Sequence, residues 1–207
     1  MGIDLLAGPT EILVIADDAA DPVVVAADLL GQAEHGPTSP AILITTSRAL
    51  GLAVLRECER QLPLLGTQEV ARRAWEDNGE VLLVDGDEEA ARVADDYAPE
   101  HLEVQTKNDD WFLGRLRNYG SLFVGEESTV AYSDKTIGPN HILPTGRAAR
   151  YTGGLHVGKF IKTVTYQRLT RKASGRVAPI VARICEIEGM LAHKATADLR
   201  ETRYGKD

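Results

Sequence analysis

The chain has 207 residues, 43% of them hydrophobic and 26% charged, a balance that excludes disordered, fibrous and membrane-embedded classes and leaves room for one sizeable core. No apolar run approaches the roughly 20 residues that a bilayer crossing needs, and the opening "MGIDLLAGPTEI" lacks the basic-then-apolar order of a leader, so a soluble, cytoplasmic protein is expected. A net charge of −8 argues against nucleic acid as a partner, and the lone cysteines Cys58 and Cys185, with no metal-ligand spacing, read as buried thiols.

In chain order, short β-branched runs alternate with helical patterns. "EILVIAD" (11–17) reads as a strand. A helix then runs through "DPVVVAADLLGQAEH" (21–35), with Asp21 as N-cap, Pro22 at the first helical position and the Gly36-Pro37 pair as its stop. "AILITT" (41–46) and "EVLLVD" (80–85) are the next strands, followed by the acid-led helix "DEEAARVADDY" (87–97), whose first turn suits the helix dipole. "HLEVQT" (101–106) is a strand, "NDDWFLGRLRNYG" (108–120) a helix ending at Gly120 as the residue past its C-cap, and "SLFVG" (121–125) a fifth strand. Strands alternating with helices imply crossover connections and a mostly parallel sheet: the expected class is α/β, an incomplete Rossmann-like sheet flanked by helices. Residues 126–160, rich in Gly, Pro, Ser and Thr, read as a long functional loop. From about Lys162 the chain reads as helical to its end, giving an α/β domain over 1–154 and a helical tail over 155–207.

Four places carry candidate chemistry. Gln32 and His35, three apart on one helix, share a face, and an amide oxygen and an imidazole nitrogen both suit zinc; a histidine there also serves simply to satisfy the helix's last carbonyls. Glu100 and His101 open a strand after a helix-ending proline, at what would be the ligand-binding edge of an open α/β sheet, where they could act as a general-base pair or merely as a cap and a half-buried histidine. Asp134 and His141 lie in the irregular loop, which can aim polar groups at a ligand. Glu188 and His193 sit five apart on the final helix. Between Lys135 and Cys185 there is no acidic residue, while Lys135, Arg147, Arg150, Lys159 and further cations fall there; many coat solvent-facing surface, yet together they favour an anionic ligand.

Taken together, "AGPTEILVIAD", "ADLLGQAEHGP", "APEHLEVQT", "GPNHILPTG" and "EIEGMLAHK" resemble the C-terminal half of the histidinol dehydrogenase family, in its order and spacing. The resemblance implies a zinc- and NAD-dependent enzyme that oxidises a primary alcohol through an aldehyde to a carboxylate. It implies zinc ligation by Gln32, His35, Asp134 and His193, a general base at His101, and a water-activating Glu100. It puts Thr10, Glu188 and, less firmly, His141 at substrate-contacting positions, where Gln32, His35, His101, Asp134 and His193 also fall. It implies a homodimer in which His193 reaches the other subunit's site.

Two departures shape the expectation. Most of the family's NAD-binding positions would precede Met1, and no G-x-G-x-x-G follows a strand here, so the chain reads as truncated and inactive by itself. The segment "SDKTIGPNHILPTGRAARYTGGLHVGKF" (133–160) looks more like the branch that oxidises sulfonated diols such as 2,3-dihydroxypropane-1-sulfonate; Lys135, with Arg147, Arg150 or Lys159, would suit such an anion and repel cationic histidinol. Histidinol itself is the alternative substrate. A zinc hydrolase, or a non-catalytic metal-binding or dimerising module, are the competing classes.

Overall fold

The structure, a computed structural model, describes residues 8–205; the first residues, on which the expectation of no leader rests, lie outside it. The chain forms two compact units, one ending at Ile161 and one starting at Lys162.

In the first unit, five parallel strands, β1 (Ile12–Ala16), β2 (Ala41–Thr45), β3 (Gly79–Leu83), β4 (His101–Gln105) and β5 (Ser121–Val124), lie in the order β3-β2-β1-β4-β5. The α/β expectation and all five strands are borne out. Every residue of β1, β2 and β4 is buried, as strands covered on both faces require. Helices α1 (Pro22–Ala33), α2 (Arg48–Gln61) and α3 (Gln68–Asn78) share one core with Ile12, Val14, Ala41 and Leu43. Helices α4 (Asp87–Tyr97) and α5 (Asp109–Arg115) contribute Ala90, Ala94 and Phe112 to the core on the other face, with Leu13, Ile15, Ile42, Ile44 and Leu102. The chain changes face between β3 and β4, so the sheet reverses direction beside β1.

Helix α1 starts as read: the Asp21 carboxylate accepts the Val23 N–H at 2.8 Å. Its end differs. The helix closes at Ala33 with Glu34 as C-cap, and His35 stands one residue beyond, held by its N–H to the Gln32 carbonyl at 3.2 Å. Helix α5 also stops early, at Arg115 rather than near Gly120. The Asp95 carboxylate accepts the N–H groups of Arg117 and Asn118 at 2.9 and 2.8 Å, satisfying them outside the helix while Leu116 turns into the core. Gly120 is instead a site of close approach: a Cβ there would lie 2.6 Å from the Glu100 carbonyl oxygen.

Past β5 the chain makes a helical turn, α6 (Val130–Tyr132), that runs into a π turn over Ser133–Ile137, followed by irregular chain with short 3-10 turns, as the composition of 126–160 suggested. In the second unit, residues 162–170 hold no regular helix. Helix α7 (Arg171–Ile187) starts nine residues later than expected, where the Thr170 hydroxyl caps the Ala173 N–H at 3.1 Å. The expected single last helix is two: Gly189, at φ +72°, breaks α7 from α8 (Leu191–Tyr204), because this backbone region favours glycine. Small buried residues, Gly175, Ala178 and Ala182 on α7 and Ala197 on α8, let the two pack closely. Cys58 and Cys185 are buried free thiols, as read. No helix among the described residues is long and apolar enough to cross a membrane.

Candidate active site

The polar cluster forms where β1 and β4 begin. Parallel pairing sets Ile12 beside His101, so Thr10 and Glu11, just before β1, meet Glu100 and His101 at the start of β4. Helix α1 runs back against the strands and delivers Gln32 to the same edge. Glu100, His101 and Gln32 are 6%, 4% and 3% exposed, whereas Thr10 and Glu11 are half-buried and His35 is exposed. This is the amino edge of the sheet, which corrects the expectation that Glu100 and His101 open the usual ligand crevice, since that crevice lies outside the carboxyl ends of strands.

The hydrogen bonds run in one direction. The Gln32 amide nitrogen donates to the Thr10 hydroxyl, Thr10 donates to Glu100 Oε2 at 2.5 Å, and the Glu11 N–H reaches the same oxygen at 3.1 Å. His101 Nδ1 lies 3.0 Å from the Glu11 carbonyl, which can only accept, so Nδ1 carries the proton and Nε2 keeps its lone pair. The Gln32 amide nitrogen, 3.4 Å from Nδ1, is therefore a neighbour of that N–H and not its partner. Burial, foremost, lowers the His101 pKa below the ordinary imidazole value and raises that of Glu100 above the ordinary carboxylate value; the Asp134 charge adds to the second effect.

Asp134 and His35 act electrostatically on both Glu100 and His101, and a cavity of about 230 Å³ is lined by Gln32, His35, Asp134, Lys135 and Asp28 among others. The structure thus gathers Thr10, Gln32, His35, Glu100, His101 and Asp134 in one region. Glu34, at the same helix end, also lines this cavity, and its carboxylate accepts the Thr67 hydroxyl at 2.8 Å. His141 is exposed and does not line that cavity. Glu188 is the C-cap of α7 and His193 lies in the first turn of α8, so both belong to the second unit, and they do not share the single helix expected. Among the described residues no group of three His, Cys, Asp or Glu is placed to hold a metal. The first unit offers one imidazole, one carboxylate and one amide, a mixed nitrogen and oxygen set that suits zinc and wants a fourth donor.

Comparison with known proteins decides what this cluster belongs to. The sequence matches the family model described as histidinol dehydrogenase over residues 1–201. The chain belongs to the histidinol dehydrogenase family. It is 58% identical over 206 residues to a histidinol dehydrogenase homolog of Shouchella clausii, spanning all of this chain and 49% of that protein. It is 49% identical to the sulfopropanediol 3-dehydrogenase of Ruegeria pomeroyi, again over the whole chain and 48% of the relative. The crystal structure of histidinol dehydrogenase from Elizabethkingia anophelis superposes with a TM-score of 0.91 at 36% identity, covering 97% of this chain and 46% of that one. The chain spans about half the length of these relatives.

Within the family frame, several site residues have no signal in the sequence alone. Glu11 supplies the carbonyl that orients His101 and a carboxylate that accepts the N–H groups of Glu100 and Gly146 at 3.3 and 3.1 Å. Behind the cluster, Glu103 and Asp28 bring two carboxyl groups together between β4 and α1, and Gln105 donates to both, at 3.3 and 3.0 Å. Glu103 is fully buried; burial, then the Asp28 charge, holds its carboxyl well above the usual range, and burial raises that of Asp28 as well. The available clue was a carboxylate in the middle of a short strand, between Leu102 and Val104.

Of the cations singled out for an anionic ligand, Arg147 and Arg150 both donate to the Asp96 carbonyl near the end of α4, a capping role. Lys135 alone among them lines the cavity with Asp134. The turn after β1, where a Rossmann sheet would bind a dinucleotide, does not fit that ligand. It reads Asp17, Asp18, Ala19, Ala20, Asp21, and the Asp21 carboxylate occupies the α1 N-terminus where a pyrophosphate would sit.

Proposed function

We propose that this chain carries the proton-transfer and metal-holding half of a zinc- and NAD-dependent dehydrogenase that oxidises a primary alcohol through an aldehyde to a carboxylate. The observation that carries the reading is the buried His101, whose Nδ1–H is committed to the Glu11 carbonyl, with Glu100 beside it at 3.4 Å. Burial keeps the imidazole neutral near pH 7 and so able to accept a proton at Nε2. His101 takes the alcohol proton. Glu100, with its carboxyl pKa raised above the ordinary carboxylate value by burial, takes a proton from the water that adds to the aldehyde; Thr10 and the Glu11 N–H hold its Oε2, and Oε1 takes neither of those bonds.

Gln32, His35 and Asp134 are the proposed zinc donors, with His193 as the fourth; the metal would polarise the substrate oxygen, and NAD would take up the hydrides. We assign NAD binding chiefly to the part of the family's chain that this one does not span, since the turn after β1 rejects a dinucleotide. A homodimer in which His193 acts in trans is supported by the exposed apolar residues of α7 and its continuation, among them Ile180, Ile184, Ile187 and Leu191, an array that a monomer in water leaves uncovered at a cost.

The substrate proposed is an anionic alcohol, a sulfonated diol such as 2,3-dihydroxypropane-1-sulfonate. Lys135 in the cavity wall supports it, as does 49% identity to a sulfopropanediol 3-dehydrogenase. The test is NADH formation by the full-length protein with dihydroxypropanesulfonate and with histidinol. Higher kcat/KM for the sulfonate is expected; preference for histidinol would overturn the substrate, and product formation without NAD would overturn the dehydrogenase.

A further inference from the structure

The carboxyl pair Asp28–Glu103 joins three of the segments that build the proposed site: α1, β4 and the chain that leads to Asp134. Asp28 lies one helical turn before Gln32 on α1, and Glu103 lies two residues after His101 on β4, on the same side of the sheet. The pair also grips the segment that carries Asp134. The Thr129 hydroxyl donates to Asp28 Oδ1 at 3.0 Å, and the Val130 N–H donates to Glu103 Oε1 at 3.4 Å, at the start of the turn that continues through Ser133–Ile137. Gln105 closes the network from the far side, donating to both acids while its own Oε1 has no partner among the described residues.

We propose that Asp28 and Glu103 are positioning residues: they anchor the 129–137 segment to α1 and β4 and so hold Asp134 opposite Gln32 and His35. The proposal rests on the zinc-site reading for its functional consequence, while the anchoring is a property of the chain itself. Neither acid is offered as a metal donor or a proton carrier. Their two anchoring bonds end on residues 129 and 130, five and four positions before Asp134, so losing them frees the whole turn. Outer-shell groups that orient ligands are commonly worth about 10- to 100-fold in metal affinity.

The experiment compares Glu103→Leu, Glu103→Gln and Thr129→Val in the full-length protein, reading hydrogen exchange of a peptide spanning 129–137, zinc affinity by chelator competition, and melting of the metal-free protein. Gln at 103 keeps an acceptor for Val130 and a donor for Asp28, giving up only the 3.3 Å bond from Gln105. It is expected to stay within about threefold of the parent in both exchange and affinity. Glu103→Leu removes the acceptor and the donor together; exchange in 129–137 is expected to rise about tenfold or more, and zinc affinity to fall about 10- to 100-fold. Thr129→Val, which cuts one anchor at a half-buried position, is expected to loosen the same peptide less and serves if Glu103→Leu does not fold. The proposal is overturned if a folded Glu103→Leu leaves exchange and affinity at parental values, if Glu103→Gln is as damaging as Glu103→Leu, or if Thr129→Val loosens nothing. Failure of the parent protein to bind zinc would sink the zinc-site reading instead, and the exchange measurements would still decide the anchor.

Discussion

The two edges of one sheet use acidic residues in opposite ways. At the carboxyl edge the acids are spent on the backbone that surrounds them. Asp17 accepts the N–H groups of Ala19 and Lys107 at 2.8 and 2.9 Å, Asp109 accepts both the N–H and the hydroxyl of Thr106, and Asp21 caps α1. At the amino edge Glu100 and His101 are buried, hold each other's neighbours in one chain of bonds, and keep an oxygen or nitrogen out of it. The lesson is that clustered carboxylates at the expected crevice can be pure structure, whereas a smaller buried cluster at the opposite edge has the groups that chemistry needs.

Several measurements break or sharpen that contrast. The largest effect belongs to His101→Asn in the full-length protein: loss of a general base costs about 10²- to 10⁴-fold in kcat, with zinc content retained, and a turnover within a few-fold of the parent removes His101 from the mechanism. Next is Gly120→Ala, whose added Cβ meets the Glu100 carbonyl at 2.6 Å and Pro144 at 3.0 Å. It should cost about 1–3 kcal/mol in urea denaturation and lower kcat with it. Gly114→Ala, with nothing within 4 Å, is the control that should leave both close to the parent values.

Asp21→Ala tests the other edge. It should cost about 1 kcal/mol of stability through the lost cap and leave kcat unchanged; a fall in kcat would show that the carboxyl edge takes part after all.

The finest test is carboxyl titration of the metal-free protein by NMR. Asp18, exposed beside Lys107, should titrate below its ordinary value, whereas buried Glu11 and Glu100 should titrate above theirs. The signs differ in linkage too. For Glu11 and Glu100 the folded state binds the proton more tightly, so their contribution to stability is present below pH 4.5 and is lost as pH rises through the folded values. For Asp18 the contribution is present above pH 3.8 and is lost as pH falls through its folded value. Shifts of one sign at both edges would erase the distinction.

Much of this was legible beforehand. The five strands were read because each is a short β-branched run between helical patterns, and Asp21 and Pro22 announced the start of α1 because capping is local chemistry. Helix ends were harder to read. His35 fell beyond the C-cap, α5 was cut short by the distant Asp95, and Gly189 split the last helix although the apolar period ran through it. Glu100 and His101 were read as opening a strand but were assigned to the usual ligand crevice, although the first residues of a strand in a parallel sheet stand at its amino edge, opposite the carboxyl ends where that crevice lies. Glu11 and the Asp28–Glu103 pair carried no recognisable spacing, because what makes them matter is what lies opposite.

The sequence by itself determined the five strands and the helices α1, α4 and α5, which residues are chemically able to act, and, through five motifs in register, the family; α2 and α3 were not read from it. Those readings are matters of short-range periodicity, local capping and residue type. Only the tertiary structure decided that the buried cluster of Glu100, His101 and Gln32 lies at the amino edge, that Arg147 and Arg150 cap a helix while Lys135 lines the cavity, and that one buried carboxyl pair ties α1, β4 and the Asp134 turn together. The reason is geometric: parallel pairing and antiparallel crossover helices bring the start of β1, the start of β4 and the end of α1 to one point, joining residues up to about 100 positions apart that no local pattern can relate.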